Sequence, residues 1–281
     1  MSVPMTPLDT LAWLLESGAD ESIGDTPIDR FTVRPAPPPA IAAATPAAAP
    51  VYRAPAASAL KSASPLPTQA DSDTIASAQA LAAAATTLAE LKAALEGFEG
   101  SALKQNCTST VFADGNPASR ILFIGEAPGA EEDRQGLPFV GRAGKLLDRM
   151  MAAINLDRSS AYITNVLNWR PPANRDPSPE EAAICLPFLR RHIELTNPGI
   201  IILLGAVAAR HVLGYTEGIM KLRGRWLEYR VGDVMVPVMA TLHPAYLLRQ
   251  PAHKKLAWRD LQAAEQKMIT LGLLEKHGSI G

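Results

Sequence analysis

The chain of 281 residues has only two cysteines, Cys107 and Cys185, and its formal net charge is −1. Two thiols far apart in sequence exclude the disulfide framework of a small secreted protein. Near-neutrality excludes a protein that coats DNA by bulk electrostatics, although acidic residues prevail before residue 95 and basic ones beyond it. No apolar run reaches the roughly 18 residues that a membrane span needs, so no membrane association is expected. Met1 to Asp29 holds no Lys or Arg, which excludes the basic start of a signal or transit peptide. The expected location is the cytoplasm, with access to the genome. Also missing are the Lys-Ser/Thr of a phosphate-binding P-loop and the glycine spacing of a dinucleotide fingerprint.

At 47% hydrophobic content the chain can bury one full core, with material left over. Residues 35–57 are almost entirely alanine and proline, and Ala, Ser, Pro and Thr continue to about Gln69. Such a segment has little to bury against its ordering entropy. Three parts are therefore expected: a short helical segment over 1–30, an Ala/Pro-rich disordered linker over 31–73, and a folded domain over 74–281. In the first part, Leu8, Leu11, Leu14 and Leu15 recur at helical spacing beside Trp13, with Gly18 as a stop. That helix either packs on the main domain or binds a protein partner in a groove.

From Thr74 to Gly97, Leu81, Leu88, Leu91 and Leu95 predict one helix leading into the domain. Strands are predicted at 120–125, 161–166 and 199–205, with helices at about 141–155, 178–195 and 206–213. Ser178-Pro179-Glu180-Glu181 is a capping box with proline at the first helical position. Arg225 to Tyr229 and Val234 to Thr241 predict two strands around Gly232-Asp233, followed by a helix from about Ala252 to Leu271. Strands alternating with helices imply an α/β fold, a three-layer α/β/α sandwich on a mostly parallel central sheet. Ligands of such folds bind at the carboxyl ends of the strands.

Three segments fall at those ends. The first is Ile124-Gly125-Glu126-Ala127-Pro128-Gly129 with Glu131-Glu132-Asp133 and Pro138-Phe139-Val140-Gly141-Arg142-Ala143-Gly144. The second is Ile163-Thr164-Asn165-Val166, continuing to Arg170-Pro171-Pro172-Ala173-Asn174-Arg175. The third is Leu242-His243-Pro244-Ala245-Tyr246-Leu247-Leu248-Arg249. Gly125, Gly129, Gly141 and Gly144 let the backbone approach a flat ligand and offer its N–H groups. In order and spacing these segments resemble the uracil-DNA glycosylase superfamily, most closely its family 4, over about Phe98 to Lys267.

The resemblance implies a reaction and a role for each residue. Cleavage of the uracil N1–C1′ bond leaves an oxocarbenium-like sugar and an anionic base, so the base must be held out of the stack and its charge stabilised. Phe139 matches the ring that stacks on uracil, and Asn165 the amide that reads N3–H and O4. His243 matches the donor to O2. Glu126 and Asn174 are the candidates for positioning water and the sugar. Ala127 stands where another branch carries a water-activating aspartate, and Gly129 where that branch carries a tyrosine against the thymine methyl. Glu132 matches the position near uracil C5. Leu247 and Leu248 match the wedge that enters the duplex, and Arg249 lies close to phosphate; Lys254, Lys255 and Arg259 are further candidates for backbone contacts.

Family 4 members carry a four-iron four-sulfur cluster on four cysteines. Alignment by the motifs puts those ligands at Phe98, Ser101, Trp169 and Cys185, so no cluster, no metal and no other cofactor is expected, with Trp169 and apolar neighbours filling the volume. The implied function is a monomeric, monofunctional glycosylase acting on uracil-containing DNA and leaving an abasic site, since no motif places a lysine for Schiff-base chemistry. The alternatives are a non-catalytic uracil-DNA binding protein on the same fold, or one that captures DNA covalently through a histidine in a basic loop. Met220 to Trp226 is basic but contains no histidine.

Overall fold

Residues 121–124 are apolar at every position, the pattern of a strand covered on both faces, and all four are buried. Leu122 and Ile124 join one hydrophobic core, and Ile121 and Phe123 join another. The structure, a computed structural model, describes residues 69–275. The helix expected at Leu8 to Leu15 and the linker up to residue 68 lie outside the described residues.

In chain order the first half holds α1 (Gln69–Ala84), α2 (Leu88–Gly97), β1 (Asp114–Gly115), β2 (Ile121–Gly125), α3 (Ala130–Gln135), α4 (Arg142–Ala152) and β3 (Tyr162–Asn165). Then come α5 (Pro179–Thr196), β4 (Ile200–Leu204), α6 (Ala206–Leu213), α7 (Ile219–Leu222), β5 (Trp226–Val231), β6 (Val234–Thr241), α8 (Pro244–Arg249) and α9 (Lys254–Thr270). The strands form one sheet in the order β1-β3-β2-β4-β6-β5. The inner four are parallel, and β1 and β5 pair antiparallel at the edges. Leu91, Leu95 and Phe188 of α2 and α5 cover one face, and Leu147, Met151, Leu261 and Met268 of α4 and α9 cover the other. This is the three-layer sandwich that the alternation of elements predicts.

The capping box at α5 forms as expected: Ser178 Oγ accepts from Glu181 N at 3.2 Å while the Glu181 carboxylate accepts from Ser178 N at 2.8 Å. The single helix expected over 74–97 is instead two. Thr87 begins a new one, its Oγ1 accepting from Glu90 N at 3.2 Å. The leucine reading of α1 also needs correction, because Leu81 is 38% exposed and the buried positions are Ala78 and Ala82. Alanines allow α1 to lie close against α5. It begins at Gln69, so residues 69–73, expected in the linker, are helical.

The four positions aligned with cluster ligands are all buried. Phe98 and Trp169 stack with centroids 6.5 Å apart, and Phe98 meets Phe188 edge-on at 5.3 Å. Trp169 Nε1 donates to Thr110 Oγ1 at 3.0 Å, which satisfies its one polar group. Burial pushes the Cys185 thiol up to about 12, as suits a packed apolar side chain. Two aromatic rings, the Ser101 hydroxyl and one thiol do not fit a cluster that takes four thiolates. Replacing Phe98 by alanine should cost about 3–5 kcal/mol in a chemical denaturation experiment; a loss below about 1 kcal/mol would show that the aromatic cluster is not tightly packed.

Candidate active site

The parallel strands deliver their carboxyl ends to one edge of the sheet. Gly125 and Asn165 are register partners at the ends of β2 and β3, and β6 runs out two residues before His243. Around them lies a cavity of about 370 Å³, lined by Glu126, Ala127, Glu132, Phe139, Asn165, Asn174, His243 and Arg249 among others. The three motifs thus converge on one place.

Gly125 is required by what packs over it. A Cβ there would lie 2.4 Å from both Asn165 Oδ1 and Phe139 Cζ. Phe139 has φ 55°, a left-handed conformation that costs a bulky residue about 1–3 kcal/mol and persists only where its surroundings hold it. Its ring is 5.7 Å from that of His243. The Asn165 side chain is buried, and its Oδ1 has no hydrogen-bond partner. A buried, unpartnered carbonyl oxygen on a residue that lines a cavity is an acceptor without its donor.

His243 Nδ1 accepts from Ala245 N at 3.1 Å, capping α8. A neutral ring whose Nδ1 accepts carries its proton on Nε2, so the free nitrogen is a donor. Burial drives the imidazole down to about 4, and the positive charge of Arg249 adds to this. Gly205, which the sequence reading missed, has φ 96° and sits against His243, where a Cβ would come 3.0 Å from that of the histidine.

Glu126 is half-buried, and burial raises its carboxyl to about 7, with Asp176 adding and Arg210 and Arg249 opposing. Asp176 lines the same cavity; its only signal in the sequence is that it follows Asn174 by two positions. Asn174 is held by Arg170, whose Nε donates to its Oδ1 at 2.7 Å. Glu132 is 9% exposed. Its two oxygens accept from Gly129 N at 3.1 Å and Gly141 N at 2.8 Å, so it is a fixed wall of the cavity that ties two loops together.

The Uracil DNA glycosylase superfamily model matches residues 112–262. The chain belongs to this superfamily. It is 42% identical over 166 residues to the type-4 uracil-DNA glycosylase of Thermotoga maritima, a match covering 58% of this chain and 85% of that protein. To the type-4 uracil-DNA glycosylase of Archaeoglobus fulgidus it is 43% identical over 153 residues, 53% of this chain and 77% of the other. The similarity to a type-5 uracil-DNA glycosylase of Pyrobaculum aerophilum is lower, 29% over 152 residues, covering 47% of this chain and 64% of that protein.

One expectation drawn from the superfamily pattern changes in the structure. Leu247 is 1% exposed and packs in the core beside α4 and α9, so it is not free to enter a duplex; Leu248, 37% exposed, is the free side chain of the pair. The reason is helical geometry, because adjacent residues on α8 point in different directions. Within the basic stretch 220–226, Arg223 pairs with Asp260 on α9 and Arg225 with Glu217. Among the described residues no group of three or more His, Cys, Asp or Glu side chains is arranged to hold a metal.

The His243 assignment has a direct test. In an NMR titration of the native protein its ring should change protonation near pH 4, against an ordinary value of 6.5. The native state then lacks a proton that the unfolded chain takes up between these values, so His243 stabilises the fold above about 6.5 and that contribution is lost as pH falls toward 4. A midpoint near 6.5 would show that burial does not hold the ring neutral and that an imidazolium shares the site near neutral pH.

Proposed function

We propose that the chain is a monofunctional uracil-DNA glycosylase that takes an extruded uracil into this cavity and hydrolyses its N-glycosidic bond. The unpartnered Oδ1 of Asn165 carries the reading. Uracil offers it the N3–H donor while the same amide donates to O4; cytosine reverses both partners, leaving buried groups unpaired. The type-4 and type-5 glycosylase relatives support the same substrate.

The remaining residues supply the chemistry. The Phe139 ring covers the face of the base, and His243 Nε2–H donates to O2 as negative charge builds there. Glu126, when ionised, orients water toward C1′ and stabilises the developing positive sugar. Arg249 and the exposed Leu248 engage the backbone and the gap left by the base. Among the described residues no lysine lines the cavity, which supports hydrolysis without a Schiff base and so without strand cleavage.

Labelled single- and double-stranded oligonucleotides with one uracil, beside thymine and hypoxanthine controls, test this reading. Cleavage should appear only after alkali and only at uracil, and Asn165→Ala should lower it by about a hundredfold or more. Uracil-dependent gel retardation without cleavage would instead support a binding protein. The rate should rise with pH through about 7 as Glu126 ionises, and Glu126→Gln should lose that limb together with most of the activity. A limb that survives the substitution would assign it to another group.

A further inference from the structure

We infer that Arg158, on the loop entering β3, is a positioning residue that sets the stacking ring of Phe139; the inference rests on the proposed role of that ring. Arg158 does not itself line the cavity, yet its guanidinium is engaged on three sides. Nη2 donates to Phe139 O at 2.5 Å and Nη1 donates to Pro138 O at 3.1 Å. Nε donates to Asp148 Oδ1 at 3.0 Å, and Nη1 also bonds the Asp114 carboxylate. The two aspartates, from α4 and β1, fix the plane of the fork. The fork in turn holds two successive carbonyls.

Those carbonyls flank the left-handed backbone of Phe139. An unfavourable conformation needs an external restraint, or the segment relaxes to a commoner one and the ring swings with it. The first turn of α4 presses on the same point, since a Cβ on Gly144 would lie 1.6 Å from Phe139 O. Gly144 limits where that carbonyl can go, and Arg158 holds it there. Because the loop of Arg158 continues into β3, which ends at Asn165, the same segment also ties the ring that covers the base to the strand that reads it. A lysine has one point charge and no planar fork, so it cannot reproduce this set of bonds.

The experiment is a double-mutant cycle on a uracil oligonucleotide, with kcat, KM and thermal midpoint measured for the wild type, Phe139→Ala, Arg158→Met and the double variant. Phe139→Ala keeps the carbonyls that Arg158 holds but removes the ring. If Arg158 acts through the ring, Arg158→Met lowers kcat about tenfold in the chain with Phe139 and less than about twofold in the Phe139→Ala chain. Its effect on the thermal midpoint should be the same in both backgrounds. An equal fold-loss of kcat in both backgrounds, or full turnover by folded Arg158→Met, overturns the inference. If Arg158→Met does not fold, Asp148→Asn loosens the fork more gently and must show the same dependence on Phe139; an equal loss with and without the ring again overturns it. Unimpaired cleavage by Phe139→Ala would sink the stacking role as well, which separates that failure from a failure of Arg158 alone.

Discussion

The site depends on a side chain that is not there. Residue 125 ends the central strand β2, and the space its Cβ would occupy is taken by the Asn165 amide and the edge of the Phe139 ring, each 2.4 Å from that point. A parallel sheet brings adjacent strand ends about 4.8 Å apart, which suits an amide on one strand and a ring laid across its neighbour only if the residue between them is bare. Everything else at this edge keeps the two groups in place. Glu132 joins Gly129 to Gly141 through both carboxylate oxygens, and Phe139 belongs to the segment it closes. A buried carboxylate accepting two backbone N–H groups is well satisfied, so the loop gains rigidity without leaving an unpaired charge beside the cavity.

Behind the site, the side chains at the aligned cluster positions do structural work that reaches the cavity. Trp169 is anchored by Phe98 and Thr110, and its neighbour Arg170 is gripped through its backbone, with Arg170 N donating to Cys107 Sγ at 3.1 Å. The Arg170 side chain then holds Asn174 at the cavity. A chain of packing and hydrogen bonds therefore runs from the aromatic cluster to a lining residue. An aromatic cluster can anchor this loop because the requirement is a fixed backbone, and close-packed rings meet it by volume and shape.

How much of this could be read from the sequence follows from the range of the interactions. The parallel strands, the capping box at Ser178 and the hairpin around Gly232-Asp233 were legible because each is set by residues close together in the chain. The convergence of Gly125, Asn165 and His243 was legible because each lies at or just past the end of a strand of one sheet. The break at Thr87 was not, since Ala and Leu on both sides have nearly equal helix propensity and a single threonine cap decides the matter. Leu247 and Leu248 are indistinguishable in sequence, and only the rotation of α8 sends one into the core and the other outward. Gly205 and Arg158 were invisible for another reason: each acts on a residue far away in the chain, and neither belongs to a recognisable motif.

The electrostatics of the cavity follow from the same enclosure. Burial disfavours charge of either sign, so it lowers His243 to about 4 and raises Glu126 to about 7. The two shifts have opposite directions and one cause. At neutral pH the group proposed to face the base is then an uncharged donor, and the group proposed to face the sugar is poised between its two forms. That division suits a bond whose cleavage makes the base negative and the sugar positive. A neutral imidazole can donate to the forming anion without having stabilised any charge beforehand, so its hydrogen bond strengthens mainly as the bond breaks, which is where it accelerates the reaction. Arg249 acts on both groups, opposing protonation of His243 and favouring ionisation of Glu126. Under the proposed contact of Arg249 with a DNA phosphate, both influences weaken together, and the protonation of the site becomes coupled to the presence of DNA.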